Sequence, residues 1–263
     1  MRRIPDHVWN EVKDILPQEK PPETVGRPAV SYRTVLDGIL YVLRTGCQWK
    51  SLPKEYGSGS TCHRRFQEWV RSAVFQKLWV RLLEIYDDVR GIKWRWQSLD
   101  SASVKAPLGG NKTGANPTDR GKLGTKRHIL TDQKGVPLSV VITAANTHDM
   151  KAAVETLDRI VVKRPRPRKY RRQNLCLDKG YDFPEIELEV VKRRYVSHIR
   201  HRGEKRRKKG RHNKRRRWVV ERTNSWHNRF RKLLIRYEKK SENYLGLVQL
   251  ACCIIVYRRL ILG

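Results

Sequence analysis

Apolar residues recur at helical spacing through the first third of the chain. Trp9, Val12 and Leu16 share one face of a helix that Asp6 can cap. Pro17, Pro21, Pro22 and Pro28 then force a loop. Ser31 caps a second helix carrying Val35, Ile39, Leu40 and Leu43, which stops near Gly46. Gly57-Ser58-Gly59-Ser60 breaks the chain before a third helix with Phe66, Trp69 and Val70, and a fourth buries Phe75, Leu78, Trp79, Leu82 and Ile85. Residues 1–90 are therefore predicted to be an all-helical domain. The break before the third helix is what a helix-turn-helix needs, with 61–71 as the recognition helix presenting Cys62, His63, Arg64, Arg65 and Gln67 outward. A plain helical bundle with a solvated basic face fits the same pattern.

The period changes after Arg90. Residues 94–105 are rich in β-formers and small side chains and predict a strand with Asp100 at its middle. Residues 107–124, rich in Gly, Asn, Thr and Pro, form a loop. Residues 126–131 and 136–143 predict two strands joined by the hairpin signal Asp132-Gln133-Lys134-Gly135. Asp149 caps a helix running to Ile160, and 163–172 is a basic, proline-broken loop. A short apolar strand, 174–177, ends at Asp178; a helix over 184–194 and a strand over 195–199 follow. A helix from Asn213 to Tyr237 carries the apolar stripe Val219, Thr223, Trp226, Phe230, Leu233, Leu234 and Tyr237, and Ser241 opens the last helix. Three strands in an antiparallel meander, then helix, strand, helix, strand, helix and helix, predict an α/β ribonuclease-H-like (retroviral-integrase superfamily) fold over 91–263. The apolar stretch 245–256, interrupted by Gly246 and Gln249, is too short to span a bilayer and reads as a buried helix, so no membrane is expected.

Charge adds a partner to this picture. Lys and Arg number 58 against 26 Asp and Glu, a formal net charge of +32. Self-repulsion on that scale predicts an anionic partner, and basic residues spread along the whole chain suit a nucleic acid better than an acidic protein. Eight Trp and ten Tyr argue against a disordered basic tail. Five cysteines without a CxxC exclude a zinc knuckle and a disulfide framework, which points to reduced thiols in the cytoplasm. Met1-Arg2-Arg3 followed by Ile4-Pro5-Asp6 is not a signal peptide.

Phosphodiester chemistry needs an activated nucleophile and a stabilised leaving oxygen. Two divalent ions roughly 3.5–4 Å apart supply both, held by hard oxygen ligands. In a sheet of this order the middle of the first strand and the end of the fourth lie side by side, and Asp100 and Asp178 fall at those places. Glu221 would come from the later helix, on the side opposite the apolar stripe with Arg217, Asn224, Asn228 and Lys232. Spacing leaves two readings open: a solvated Arg217–Glu221 pair contributing roughly a few tenths of a kcal/mol, or a face lining a DNA channel. Asp119, Asp132, Asp149 and Asp182 compete, but Asp132 and Asp149 sit where a hairpin turn and a helix cap want Asp.

Five segments carry a resemblance: Ser98-Leu99-Asp100-Ser101, Asp119 through His128, Ala145-Asn146-Thr147-His148-Asp149, Leu177-Asp178-Lys179-Gly180-Tyr181-Asp182 and Trp218 through Trp226. Together they resemble bacterial insertion-sequence transposases of the Asp-Asp-Glu type, insertion sequence five family, over essentially the whole chain. The resemblance implies a catalytic, metal-binding triad of Asp100, Asp178 and Glu221 with two Mg2+ ions, Mn2+ substituting. It implies binding of terminal inverted repeats, cleavage at the element's ends, and joining of the freed 3′-hydroxyls to target DNA. It also puts the Glu221 helix against the sheet. Arg217 and Glu221 keep the spacing of the family's Tyr-Arg-Glu-Lys signature, whereas Lys214 and Asn228 stand at its Tyr and Lys positions.

Contacts to double-stranded DNA are expected from Arg64 and Arg65 and from Lys122, Lys126 and Arg127. Arg207, Lys208 and Arg211 in the basic run 202–217 join them, as do Arg217, Trp218, Arg222, Asn224, Asn228 and Arg229. Trp218 suits base stacking or a core cation–π contact, and Trp226 suits the core. Two ends must be joined, so at least a dimer is expected on DNA, in a bacterial cytoplasm. The rival readings are a non-catalytic sequence-specific DNA-binding or regulatory protein, and a ribonuclease-H-like nuclease that cuts without joining.

Overall fold

The computed structural model describes residues 4–19, 29–199 and 216–263, so Arg207, Lys208, Arg211 and most of the basic run 202–217 lie outside the described residues. Helices α1 (Asp6–Val12), α2 (Tyr32–Thr45), α3 (Gly59–Arg71) and α4 (Val74–Arg90) come first. Local chemistry sets their ends. Ser31 accepts a hydrogen bond from the Thr34 amide at 3.3 Å and Ser58 one from Thr61 at 3.1 Å. Gly46 closes α2 at φ 74°, and α1 begins after Pro5 rather than on an Asp6 cap, since Asp6 pairs with Arg33 instead. A Cβ on Gly59 would sit 1.7 Å from the Trp49 carbonyl oxygen, so only glycine admits this approach.

Strands β1 (Trp96–Lys105), β2 (Leu123–Thr131), β3 (Pro137–Ala144), β4 (Gln173–Leu177) and β5 (Tyr195–Ile199) form the main sheet in the order β3-β2-β1-β4-β5. The first three are antiparallel, while β4 and β5 run parallel to β1. The bridging pair Gly114–Ala115 adds a short strand beside β2. At the β2–β3 hairpin the buried Asp132 accepts amide hydrogen bonds from Lys93 at 3.0 Å, Lys134 at 2.8 Å and Val136 at 2.9 Å. Pairing of Ser98 with Cys176 sets Asp100 level with the residue that follows β4, which is Asp178.

Helices α5 (Asp149–Asp158) and α7 (Trp218–Asn228) cover opposite faces of the sheet. Lys126 reaches Asp149 of α5, its neighbour Arg127 reaches Asn228 of α7, and successive side chains along a strand point to opposite sides. Helix α6 (Pro184–Lys192) lies between β4 and β5, and α8 (Ser241–Leu262) closes the chain. Tyr244, Leu247, Val248, Ala251, Cys252, Ile255 and Val256 of α8 are buried. Residues of α4 meet that helix and sheet directly: Cys253 Sγ donates to Phe75 O at 3.7 Å, and Trp79 Nε1 donates to Pro137 O at 3.2 Å. One hydrophobic core therefore runs from α2 and α4 through α8 to the sheet.

Four further expectations need correction. The helix predicted to run to Tyr237 ends at Asn228; a 3-10 turn, Arg231–Leu233, follows because Lys232 and Arg236 turn inward. Lys232 Nζ pairs with Glu238 Oε1 at 3.1 Å, and Arg236 donates to the carbonyls of Asn111, Lys112, Glu238 and Lys239. His148, not Asp149, caps α5, its Nδ1 accepting from the Met150 amide at 3.4 Å. Cys62 faces the core rather than outward from α3. Helix α8 has 22 residues, long and apolar enough to cross a membrane, but it is packed against α4.

Candidate active site

Asp100 projects from the middle of β1, Asp178 follows β4, and Glu221 lies in the first turn of α7. Their convergence depends on how α7 is anchored. The Ser98 hydroxyl of β1 donates to the Arg216 carbonyl at 3.2 Å, and the Arg216 guanidinium lies over Trp96 at 4.7 Å. Farther along, Arg222 Nη2 donates to Lys134 O at 2.7 Å and Thr223 Oγ1 to Gly135 O at 2.8 Å, tying α7 to the hairpin. The anchored helix turns Arg217 and Glu221 toward the aspartates.

One nitrogen marks the centre. Arg217 Nη2 lies 3.9 Å from Asp100 Oδ2, 3.9 Å from Asp178 Oδ2 and 3.2 Å from Glu221 Oε1. The second oxygens of the aspartates are held locally: Asp100 Oδ1 accepts from the Ser101 amide at 2.9 Å and Asp178 Oδ1 from Gly180 at 2.7 Å. Asp100 is the most enclosed of the three, with 15% of its side chain exposed against 26% for Asp178 and 53% for Glu221. Burial pushes its carboxyl up to about 6; Arg217 and the Ser101 amide oppose that shift, and the charges of Asp178 and Glu221 add to it.

Three carboxylates around one cation are a hard-oxygen donor set suited to a divalent metal. Among the described residues no three His, Cys, Asp or Glu side chains form a ready-made metal cage. A guanidinium stands between the three carboxylates.

The model described as "Transposase DDE domain" matches residues 97–256, a span containing all three carboxylates, and "Putative transposase of IS4/5 family" matches residues 4–79. The chain belongs to the DDE transposase family. It is 34% identical over 151 residues to "Putative transposase for insertion sequence element IS402" of Burkholderia cepacia, covering 57% of this chain and 70% of that protein. A second relative from that organism, "Insertion element IS402 uncharacterized 16.2 kDa protein", is 38% identical over 118 residues, 43% of this chain and 80% of that one. Among solved structures, a piggyBac transposase synaptic complex with hairpin DNA gives a TM-score of 0.44 at 10% identity, covering 99% of this chain and 74% of that one. A Mos1 transposase paired-end complex gives 0.30 at 12%, covering 90% and 82%.

In this transposase the remaining predicted contacts divide by exposure. Arg64, Lys122, Trp218, Asn228 and Arg229 are exposed. Arg65 is half-buried, paired with Glu68 at 2.7 Å and lying over the Tyr32 ring. Lys126 is paired with Asp149 at 2.9 Å. Arg222 lies over Trp218 at 4.8 Å and over Trp226 at 4.7 Å, leaving 52% of Trp218 exposed. Two residues are corrected from DNA-facing to interior. Arg127 is fully buried and donates from Nη2 to Asn228 Oδ1 at 2.9 Å, while Asn224 is buried on α7. Sequence spacing gave Arg217 a contact with Glu221 alone. Its position among all three carboxylates depends on sheet adjacency, which spacing does not encode.

Proposed function

We propose that this protein is the transposase of its own element, cutting DNA at the element's terminal inverted repeats and joining the freed 3′-hydroxyls to target DNA. On this reading residues 91–263 are a ribonuclease-H-like catalytic domain. Residues 1–90 are a helical, helix-turn-helix-type domain that grips the ends with Arg64 of α3 at the DNA. Family membership supports the reaction class. The observation that carries the residue assignment is the meeting of Asp100, Asp178 and Glu221 around Arg217 Nη2.

Asp100 and Asp178 would hold two divalent ions between them, with Glu221 on one; when bound, Mg2+ or Mn2+ activates the attacking oxygen and stabilises the leaving one. The chain's own residues do the rest. Arg217 screens the three carboxylates until a phosphate offers it another anion. Trp218 and Arg222 offer a stacking face and charge to the strand beside the cut. Lys122 and Arg229 are free to meet phosphates, and the basic segments 163–172 and 202–217 supply further charge along the duplex. Joining two ends calls for at least a dimer on DNA, working in the bacterial cytoplasm.

The test is Asp178→Ala assayed on end DNA. Loss of Mg2+-dependent cleavage and of joining from a pre-cut 3′ end, with end binding retained, supports the reading. Unchanged cleavage would overturn it.

A further inference from the structure

Three residues outside the triad meet behind Asp178. Lys126 comes from β2, Asp149 from the start of α5, and Gly180 from the turn after β4. Lys126 Nζ donates to Asp149 Oδ1 at 2.9 Å and to Thr147 O at 2.8 Å. A Cβ placed on Gly180 would lie 3.5 Å from Asp149 Oδ2 and 2.9 Å from Asp178 Oδ1, so the two carboxylates flank one glycine. Tyr181 is fully buried next to them, and its hydroxyl has no hydrogen-bond partner among the described residues. Burial drives that phenol well above its ordinary range, and the charges of Asp149, Asp100 and Asp178 push it further. The side chains of Lys126 and Asp149 are only 16% and 22% exposed, so water screens their charges weakly.

We propose that Asp149 is a fourth acidic residue of the catalytic centre, a positioning residue that sets how strongly the triad attracts a divalent cation, with Lys126 as its opposing charge. The proposal rests on the reading of Asp100, Asp178 and Glu221 as the metal-binding set. Asp178 Oδ1 faces Gly180 and Asp149, and Oδ2 faces the centre. A negative charge behind Asp178 deepens the attraction for a cation in front of it, and a positive charge on Lys126 reduces it. A simple tie between α5 and β2 would behave otherwise, because removing either partner would then loosen the turn and weaken metal binding alike.

Calorimetric titration of Mn2+ into the full chain bound to pre-cut end DNA, whose phosphates draw Arg217 from the centre, separates the two. Asp149→Asn should weaken Mn2+ binding by about tenfold. Lys126→Met should tighten it by a similar factor, the double variant should return near the parent, and Lys126→Gln serves if the methionine variant folds poorly. The Mn2+ concentration for half-maximal cleavage should move in the same directions. Weakening by both single substitutions, or no effect of either while Asp178→Asn removes Mn2+ binding, would overturn the proposal. If Asp178→Asn also leaves Mn2+ binding intact, the triad reading fails and takes this proposal with it.

Discussion

Arg217 Nη2 lies 3.2 Å from Glu221 Oε1, one helical turn away, and the same nitrogen faces both aspartates. The pair is therefore part of a four-residue charge cluster rather than an isolated surface bridge. Removing the guanidinium leaves three carboxylates facing each other. Arg217→Ala should lower stability at pH 7 by about 1–2 kcal/mol, a value reduced for the exposure of Glu221. Millimolar Mn2+ should raise the melting temperature of this variant more than that of the parent. An identical response in both proteins would contradict the counter-ion role.

Acid stability follows from two interior histidines. Burial, then Arg127, depresses His227 to about 3, against a hydrogen bond to Thr223. Burial also depresses His128 to about 4, with Asp149 opposing and Lys126 adding. The unfolded chain takes up protons below its ordinary histidine range near 6.5 while the folded chain does not, so each group costs stability as pH falls through that range, by up to about 1.4 kcal/mol per pH unit. Asp100 has the opposite sign. Raised to about 6, it is protonated in the folded state first and offsets roughly one histidine between about pH 6 and 4. Urea midpoints should fall from pH 7 to 5 in the parent and fall more steeply in Asp100→Asn. His227→Phe should flatten the profile.

Among the described residues Arg127 Nε and Nη1 make no hydrogen bond of ordinary geometry, although the guanidinium lies close enough to the Tyr244 phenol to act on it. Arg127→Met keeps the stem and removes an under-satisfied charge, so stability should hold or rise, whereas Arg127→Ala opens a cavity and should cost about 3 kcal/mol. Neither should change the salt dependence of DNA binding. A shallower salt slope in Arg127→Met would return this residue to the interface.

Trp218 and Arg222 should separate in a DNA titration. Trp218→Ala is expected to weaken binding of end DNA by about 1–3 kcal/mol without altering the salt slope. Arg222→Ala should reduce that slope by about one. Equal slopes in both variants would show that Arg222 serves only to brace the two tryptophans.

Legibility in the sequence followed the reach of the forces involved. The β2–β3 hairpin was readable because Asp132 and Gly135 are local turn chemistry, and Asp100 and Asp178 because strand order puts them side by side. The Glu221 direction was not, since the anchors of α7 are Ser98, Lys134 and Gly135, remote in the chain. Asp149 was hidden because a cap position already accounts for an Asp. Arg127 and Lys232 were hidden because charge reads as surface until a fold provides Asn228 and Glu238 to receive it. The same inward turn of Lys232 and Arg236 broke a helix that the spacing of Phe230, Leu233 and Leu234 continues.

The most direct test of the central claim is anomalous scattering from Mn2+ in crystals of the transposase bound to end DNA. The account predicts manganese between Asp100, Asp178 and Glu221, with the Arg217 guanidinium withdrawn toward phosphate. Manganese absent from that position, or Glu221 turned to solvent away from both aspartates with DNA engaged, would contradict it.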